Sequence, residues 1–140
     1  MAAPCYLLDT NICIYIAKHQ PPEVRERFAR HGAHELAMSV ITYGELRFGA
    51  EKSQARERAL ASLDGLTRLI HVVPLPAAAA EHYGQIRAEL QRAGQTIGNN
   101  DLWIAAHARA EGWVLVTNNE REFVRVGGLA VENWVVSAGL

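Results

Sequence analysis

Cys5-Tyr-Leu-Leu8 is a short apolar run that ends in Asp9-Thr-Asn11. The run predicts a buried strand, and the polar residues after it predict a helix start with Asp9 or Thr10 as N-cap. The same alternation of strand and helix continues outward from this stretch to the end of the chain. Strands are predicted at residues 5–8, 36–38, 71–75, 113–116 and 130–136.

Helices are predicted between these strands, and the order of elements indicates the fold class. The predicted helices span residues 12–18, 23–31, 40–52, 54–70, 77–93 and 101–110, with a short helical turn around Phe123. Strands that alternate with helices favour a parallel sheet covered on both faces. We therefore predict an α/β fold, a three-layer α/β/α sandwich with a mainly parallel sheet, and one domain over residues 1–140.

Composition excludes several classes of protein. With 49% hydrophobic and 21% charged residues, the 140-residue chain has an ordinary globular balance. The net charge of −1 argues against a protein that holds nucleic acid through bulk positive charge, although local basic patches stay open. Two cysteines do not make a disulfide scaffold. The absence of a signal-peptide pattern and of a long apolar run leads us to expect a cytoplasmic protein without a membrane segment.

Polar residues follow two of the predicted strands directly. Asp9 follows the first strand, and Thr117, Asn118 and Asn119 follow the strand at 113–116. Ligands of open parallel sheets bind at the carboxyl ends of the strands, so these residues are expected at one edge. Asp101 opens a helix, where the helix dipole favours a carboxylate.

Glu45 is the third carboxylate of interest, because it shares a predicted helix face with Ile41 and Phe48. A carboxylate on an apolar face is costly unless something pairs with it, and Asp101 raises the same problem. Asp9, Glu45 and Asp101 together suggest a shared cation. Oxygen-only ligands favour Mg²⁺ or Mn²⁺ over Zn²⁺. Such an ion, held by carboxylates, is typical of sites that hydrolyse phosphodiesters with the help of a metal.

Simpler roles are open for each of these carboxylates. Asp9 and Asp101 are both suited to act as helix N-caps alone. Glu45 has the alternative of a buried ion pair with Arg47 or Arg87, since buried charges are usually paired.

At these residues the sequence resembles the PIN-domain ribonucleases, specifically the VapC toxins of bacterial toxin–antitoxin pairs. Four segments in this order and spacing carry the resemblance, namely Leu8-Asp-Thr-Asn-Ile12, Ser39-Val-Ile-Thr-Tyr-Gly-Glu-Leu-Arg-Phe-Gly49, Gly98-Asn-Asn-Asp-Leu-Trp-Ile-Ala-Ala-His-Ala108 and Leu115-Val-Thr-Asn-Asn-Glu-Arg-Glu-Phe123. The last segment and the closing Val131-Glu-Asn-Trp134 resemble the subgroup that cleaves initiator tRNA in the anticodon stem-loop.

The resemblance implies a Mg²⁺-dependent endoribonuclease that forms a homodimer and is neutralised by a cognate antitoxin. It also implies roles for individual residues. The implied metal-site carboxylates are Asp9, Glu45 and Asp101, and the implied supporting residues are Thr10, Asn11, Thr117, Asn118 and Asn119. Many family members carry a further Asp where this chain has Asn119, and Glu120 and Glu122 follow at a different spacing. The sequence therefore leaves open whether the site holds one or two metal ions.

Two further functions compete with an RNA-cleaving toxin. One is a PIN-like module with little or no catalysis that works through a partner protein on DNA, and Asn119 is the residue that favours it. The other is a small phosphatase using the same carboxylates. For an RNA substrate such as tRNA, we expect phosphate contacts from a local arginine patch, because Arg suits phosphate geometry better than Lys. The candidates are Arg47, Arg87 and Arg92.

Overall fold

The computed structural model describes residues 6–136, and its centre is a five-stranded sheet. The strands are β1 Tyr6–Leu8, β2 Leu36–Ser39, β3 His71–Val73, β4 Val114–Val116 and β5 Val131–Glu132. All four neighbouring pairs are parallel, in the order β3-β2-β1-β4-β5. The predicted parallel α/β fold is confirmed.

Seven helices accompany the sheet within the described residues. They are α1 Thr10–Lys18, α2 Pro22–Ala29, α3 Val40–Glu51, α4 Arg56–Leu69, α5 Ala78–Ala93, α6 Asn99–Glu111 and α7 Glu120–Phe123. None of the helices between residues 6 and 136 combines the length and the apolar character that crossing a membrane requires.

Neighbouring residues of β1 pack into different layers, because successive strand side chains point to opposite faces. Leu7 belongs to the core cluster formed with α5, α6 and α7, together with Ile86 and Ile104. Leu8 belongs to the other cluster, formed with α1, α2 and α4, together with Ile16. Both leucines are fully buried. The sheet is therefore covered on both faces, as the three-layer prediction requires.

The strand order reverses beside β1, and this reversal positions the candidate site. The chain runs outward from β1 to β3, then returns to place β4 on the other side of β1. Helices after β1 and β4 leave on opposite faces, which opens a crevice at the carboxyl ends of these two strands. Asp9 stands at that point, and its N–H donates to the carbonyl of Val116 over 2.9 Å.

Several predicted boundaries were wrong. Strand β3 ends at Val73 rather than residue 75, because Pro74 has no N–H to donate to the ladder. Strand β5 covers only Val131–Glu132, since the side chain of Asn133 accepts from the Val135 N–H and turns the chain away. The part of the first predicted strand at Cys5 lies outside the described residues.

Helix α6 begins earlier than predicted. Its first residue is Asn99, and its N-cap is Gly98, which makes no side-chain capping bond. Asp101 consequently lies inside the first turn of the helix. The interpretation of Asp101 as the N-cap was wrong, although its expected place at the helix N-terminus is confirmed.

Candidate active site

Asp9 is a buried carboxylate held from two sides. It caps α1, because its Oδ1 accepts from the Thr10 N–H over 2.8 Å. Its Oδ2 accepts from the Thr117 hydroxyl over 2.8 Å, across the β1–β4 pairing. Only 4% of Asp9 is exposed. A cap alone does not account for the second bond, which fixes the carboxylate at the strand-order reversal.

Glu45 reaches the same edge from the middle of α3. Its Oε1 accepts from the Thr10 hydroxyl over 2.6 Å, and its Oε2 accepts from the Asn100 side-chain amide over 3.3 Å. The predicted apolar, buried face is confirmed for Ile41, which packs partly buried against the core, and was wrong for Phe48, which is 65% exposed. Glu45 lies half-buried at a surface hollow and is tied to both the β1–α1 junction and the start of α6.

The proposed ion pair of Glu45 with arginine was wrong for both candidates. Arg47 donates from Nε to Glu51 over 2.8 Å, and Arg87 donates from Nη1 to the Tyr83 hydroxyl over 2.7 Å. None of the ion pairs formed within residues 6–136 includes Glu45. Its partners there are a hydroxyl and an amide, so its charge is solvated by dipoles and not cancelled.

The three arginines expected to contact RNA lie in different places. Arg47 follows Glu45 by two residues, and at about 100° per residue it points away from the carboxylates. Arg92 is exposed near the end of α5. Arg87 lies nearer to the site, because it borders a pocket that also contains Asn99 at the start of α6.

Asp101 is half-buried in the first turn of α6 and feels the other carboxylates. Its pKa is raised to about 6, first by desolvation and then by the negative charges of Asp9, Glu122 and Glu45. Burial also raises the pKa of Asp9, and the charge of Glu45 adds to this, although the hydrogen bonds from Thr117 and Thr10 oppose it. The cluster therefore carries more negative charge than its surroundings neutralise.

Glu122 is a fourth acidic residue that the motif spacing did not identify. Asn119 donates from its side-chain amide to Glu122 Oε2 over 2.6 Å, and its backbone N–H donates to the Thr117 hydroxyl over 2.9 Å. Glu122 raises the pKa of Asp101, whereas Glu120 accepts from Asn133. The available signal was the three-residue separation in a helical turn, which brings Asn119 and Glu122 together.

The remaining supporting residues divide into two groups. Thr10, Thr117 and Asn119 each bond to an acidic side chain of the cluster. Asn118 instead donates from its side-chain amide to the Tyr15 hydroxyl over 3.2 Å, and Asn11 is exposed in the first turn of α1. The structure therefore brings three of the five expected supporting residues into direct contact with the carboxylates.

The donor chemistry of this cluster fits a hard divalent cation. None of the neighbours that shift the pKa of the buried Asp9 is a cation. The charged side chains that could bind an ion here, Asp9, Glu45 and Asp101, offer only oxygen atoms, which suit a hard cation. Within residues 6–136, no three His, Cys, Asp or Glu side chains converge tightly enough to form a complete ion cage. This arrangement fits Mg²⁺, which is commonly held by one or two carboxylates and retains several waters.

A surface hollow of about 360 Å³ gives access to the carboxylates. Glu45, Asp101 and residues 98–100 line it. Its walls come from α3 and from the start of α6, so a ligand in the hollow meets two of the acidic groups. The geometry suits a nucleic-acid strand that approaches from the surface and places one of its phosphates among the carboxylates.

Comparison with known proteins gives a consistent result across nearly the whole chain. The family model described as PIN domain matches residues 6–129. A tRNA(fMet)-specific endonuclease VapC of Shigella flexneri is 52% identical over 129 residues, which cover 92% of this chain and 97% of that protein. A ribonuclease VapC of Haemophilus influenzae strain 86-028NP is 47% identical, covering 93% of this chain and 98% of its own length.

A solved structure agrees with the sequence relatives. The crystal structure of DNA-bound VapBC from Salmonella typhimurium matches with a TM-score of 0.88 and 45% identity, covering 94% of this chain and 99% of that chain. Fold, matched length and identity thus lead to the same group of proteins, and the chain belongs to the PIN-domain family and, within it, to the VapC proteins.

Proposed function

We propose that this chain is the toxin of a toxin–antitoxin pair, a Mg²⁺-dependent endoribonuclease that hydrolyses a phosphodiester bond of tRNA. The observation that carries the proposal is the group of acidic side chains at the strand-order reversal, which form no ion pair with a basic side chain of residues 6–136. The Shigella flexneri relative supports initiator tRNA as the substrate. The family resemblance favours the anticodon region of the tRNA as the place of cleavage.

Asp9 and Asp101 are the residues that would hold the ion, with Glu45 next to them. Bound Mg²⁺ supplies Lewis acidity toward the scissile phosphate and a more acidic water; Mn²⁺ offers the same chemistry. Thr10 and Thr117 fix the orientation of the Asp9 carboxylate. A carboxylate that does not hold the ion directly accepts the proton that the attacking water loses.

The cognate antitoxin is the protein partner that this surface fits. A groove of about 520 Å³ lies between α1, α3 and α4, and its lining includes the apolar Leu46, Leu63 and Leu66 together with Thr10 and Glu45 of the acidic site. An amphipathic segment in this groove would bring a Lys or Arg to the carboxylates, where it would compete with Mg²⁺ for the same negative charge. The VapBC structures similar to this chain support such a partner, and we also propose a homodimer.

A second role follows from the DNA in the similar complexes. The Salmonella typhimurium structure and a VapBC2 structure from Rickettsia felis both hold DNA, the latter a fragment of its promoter. We propose that this chain also joins a DNA-bound complex through its partner. DNA binding through a partner does not use the acidic cluster, so we propose this role in addition to the nuclease function and not in its place.

The substrate can be tested with two tRNAs of similar length and a DNA control. Purified protein with Mg²⁺ is incubated with initiator tRNA, with an elongator tRNA and with a DNA copy of the initiator anticodon stem-loop. We expect cleavage of the initiator tRNA, confined to the anticodon region. Equal cleavage of both tRNAs contradicts the substrate assignment, and failure to cut either tRNA contradicts the nuclease function.

A further inference from the structure

Arg87 is held in place by a chain of aromatic and polar contacts beside the acidic site. The Tyr83 and Trp103 rings are stacked, with centroids 3.9 Å apart and planes 15° from parallel. The Tyr83 hydroxyl accepts from Arg87 Nη1 over 2.7 Å and donates to Asn99 Oδ1. One guanidinium N–H is therefore committed to a fixed ring, while Arg87 itself is exposed and has four further donors.

A pocket of about 280 Å³ lies under this guanidinium, between α5 and α6. Its floor is apolar, with Leu90, Ile97 and Leu102, each less than a tenth exposed. Its rim is polar and includes Arg87, Asn99 and Thr96. The volume lies just below the range of about 300–1,000 Å³ for drug-sized ligands, so it suits a single small ring system.

A second arginine lies close to one of the lining residues. Arg125, in the turn after α7, donates from Nη1 to the carbonyl of Thr96 over 3.3 Å. Arg87 is therefore the cation that lines the pocket with the apolar floor, and Arg125 adds positive charge next to Thr96. Cationic rim and apolar floor together match a nucleotide, which combines a phosphate with a flat base.

The pocket and the hollow at the carboxylates share one lining residue. Asn99 lines both, and Asp101 and Glu45 line the acidic hollow beyond it. A strand that places one phosphate among the carboxylates therefore brings an adjoining nucleotide to the pocket. Because the whole chain has a net charge of −1, RNA affinity requires local cations of this kind.

We propose that Arg87 and the pocket between α5 and α6 bind the nucleotide next to the cleaved phosphodiester. Arg87 contacts its phosphate, and the base lies on the apolar floor. Tyr83 is a positioning residue, since it acts by holding Arg87 and Asn99. The inference rests on the proposed RNA-cleaving function and adds a substrate contact to it.

The test compares steady-state cleavage of a fluorescently labelled anticodon stem-loop RNA by wild type and four variants, with Mg²⁺ present. Loss of one charge-assisted contact weakens binding about tenfold. We therefore expect Arg87→Ala to raise KM about tenfold with little change in kcat. Repeating the assay over a range of salt concentrations should show a shallower salt dependence of kcat/KM, by about 0.7 in the logarithmic slope for one lost contact to a single strand.

Further variants separate charge from position. Arg87→Lys should restore the salt slope but not the full KM, because the ammonium lacks the planar fork. Tyr83→Phe keeps the aromatic ring and the charges of Arg87 and Arg125 but removes the hydroxyl that holds Arg87. It should therefore raise KM severalfold without changing the salt dependence of kcat/KM. Arg68→Ala is the matched control, since it removes an exposed arginine from α4 on the other face of the sheet.

The outcomes distinguish this inference from the proposed function. No cleavage by wild type contradicts the nuclease function itself. Cleavage by wild type with equal KM for Arg87→Ala and Arg68→Ala overturns only the nucleotide subsite. A change of oligomeric state on gel filtration for Arg87→Ala, absent for Arg68→Ala, assigns this face to an interface between copies and also overturns the subsite.

Discussion

Replacing Asp101 by Asn should stabilise the metal-free protein at neutral pH. The pKa of Asp101 rises from an ordinary 3.8 to about 6 in the folded state. Each pKa unit corresponds to about 1.4 kcal/mol, so the shift is equivalent to roughly 3 kcal/mol. Asp101 is only half-buried, so solvent screening reduces this figure, and we take about 2 kcal/mol as the cost of the ionised group.

The sign of the pH dependence follows from the raised pKa. The folded protein binds this proton more tightly than the unfolded chain does. The stabilising contribution is therefore fully present below pH 3.8 and is lost as the pH rises through about 6. Asn is neutral throughout, so Asp101→Asn and wild type should be nearly equal in stability at pH 4. The variant should be more stable by about 2 kcal/mol at pH 7.5.

Urea unfolding of both proteins at pH 4 and pH 7.5, with a chelator, measures this difference. Asp64→Asn is the matched control, because Asp64 is exposed on α4 and lies outside the acidic cluster. Added Mg²⁺ should then stabilise wild type by mass action, by about 2.7 kcal/mol at a hundred times Kd, and stabilise Asp101→Asn less. A difference between variant and wild type that is the same at both pH values refutes the electrostatic reasoning. An equal Mg²⁺ gain removes Asp101 from the metal site.

Three other perturbations test separate parts of the site. Thr117→Val removes the hydroxyl that donates to Asp9, so the pKa of Asp9 should rise further and the acidic limb of the pH–rate profile should move to higher pH. An unchanged profile argues that the Thr117 hydroxyl does not control the pKa of Asp9. Glu122→Gln removes a negative charge that acts on Asp101, so the site should attract Mg²⁺ less and the affinity measured by calorimetry should fall. An unchanged affinity leaves Glu122 outside the ion's environment. A peptide from the cognate antitoxin should compete with Mg²⁺, and replacing its basic residues by Ala should abolish the competition; simultaneous binding of peptide and Mg²⁺ contradicts this mode of inhibition.

Much of the site could be predicted because the alternation of strands and helices, and the end of each strand, are encoded locally. Asp9 and Thr117 each follow an apolar run directly, and parallel strands bring their carboxyl ends to one edge. Asp101 was placed at a helix start by the polar residues that precede an apolar stretch. These positions need only the alternation of elements, which the sequence displays clearly.

Other features depend on contacts that no local pattern encodes. The role of Glu122 depends on a four-residue helix whose turn lets Asn119 hold the carboxylate. The partners of Glu45 come from α1 and α6, far away in the chain. The alternative of an ion pair with Arg47 or Arg87 rested only on the rule that buried charges are usually paired, and it was wrong. The short β5 results from a side-chain bond of Asn133 that competes with the ladder.

Cleavage of tRNA by wild type and Asp9→Asn, each with Mg²⁺ and with a chelator, tests the central claim most directly. Asn keeps the size of the Asp9 side chain and can still accept from the Thr10 N–H, so the variant should fold, which its melting curve checks. We expect cleavage only by wild type with Mg²⁺. Cleavage by wild type in the chelator, or a rate for folded Asp9→Asn close to that of wild type, contradicts metal-dependent hydrolysis at this carboxylate cluster.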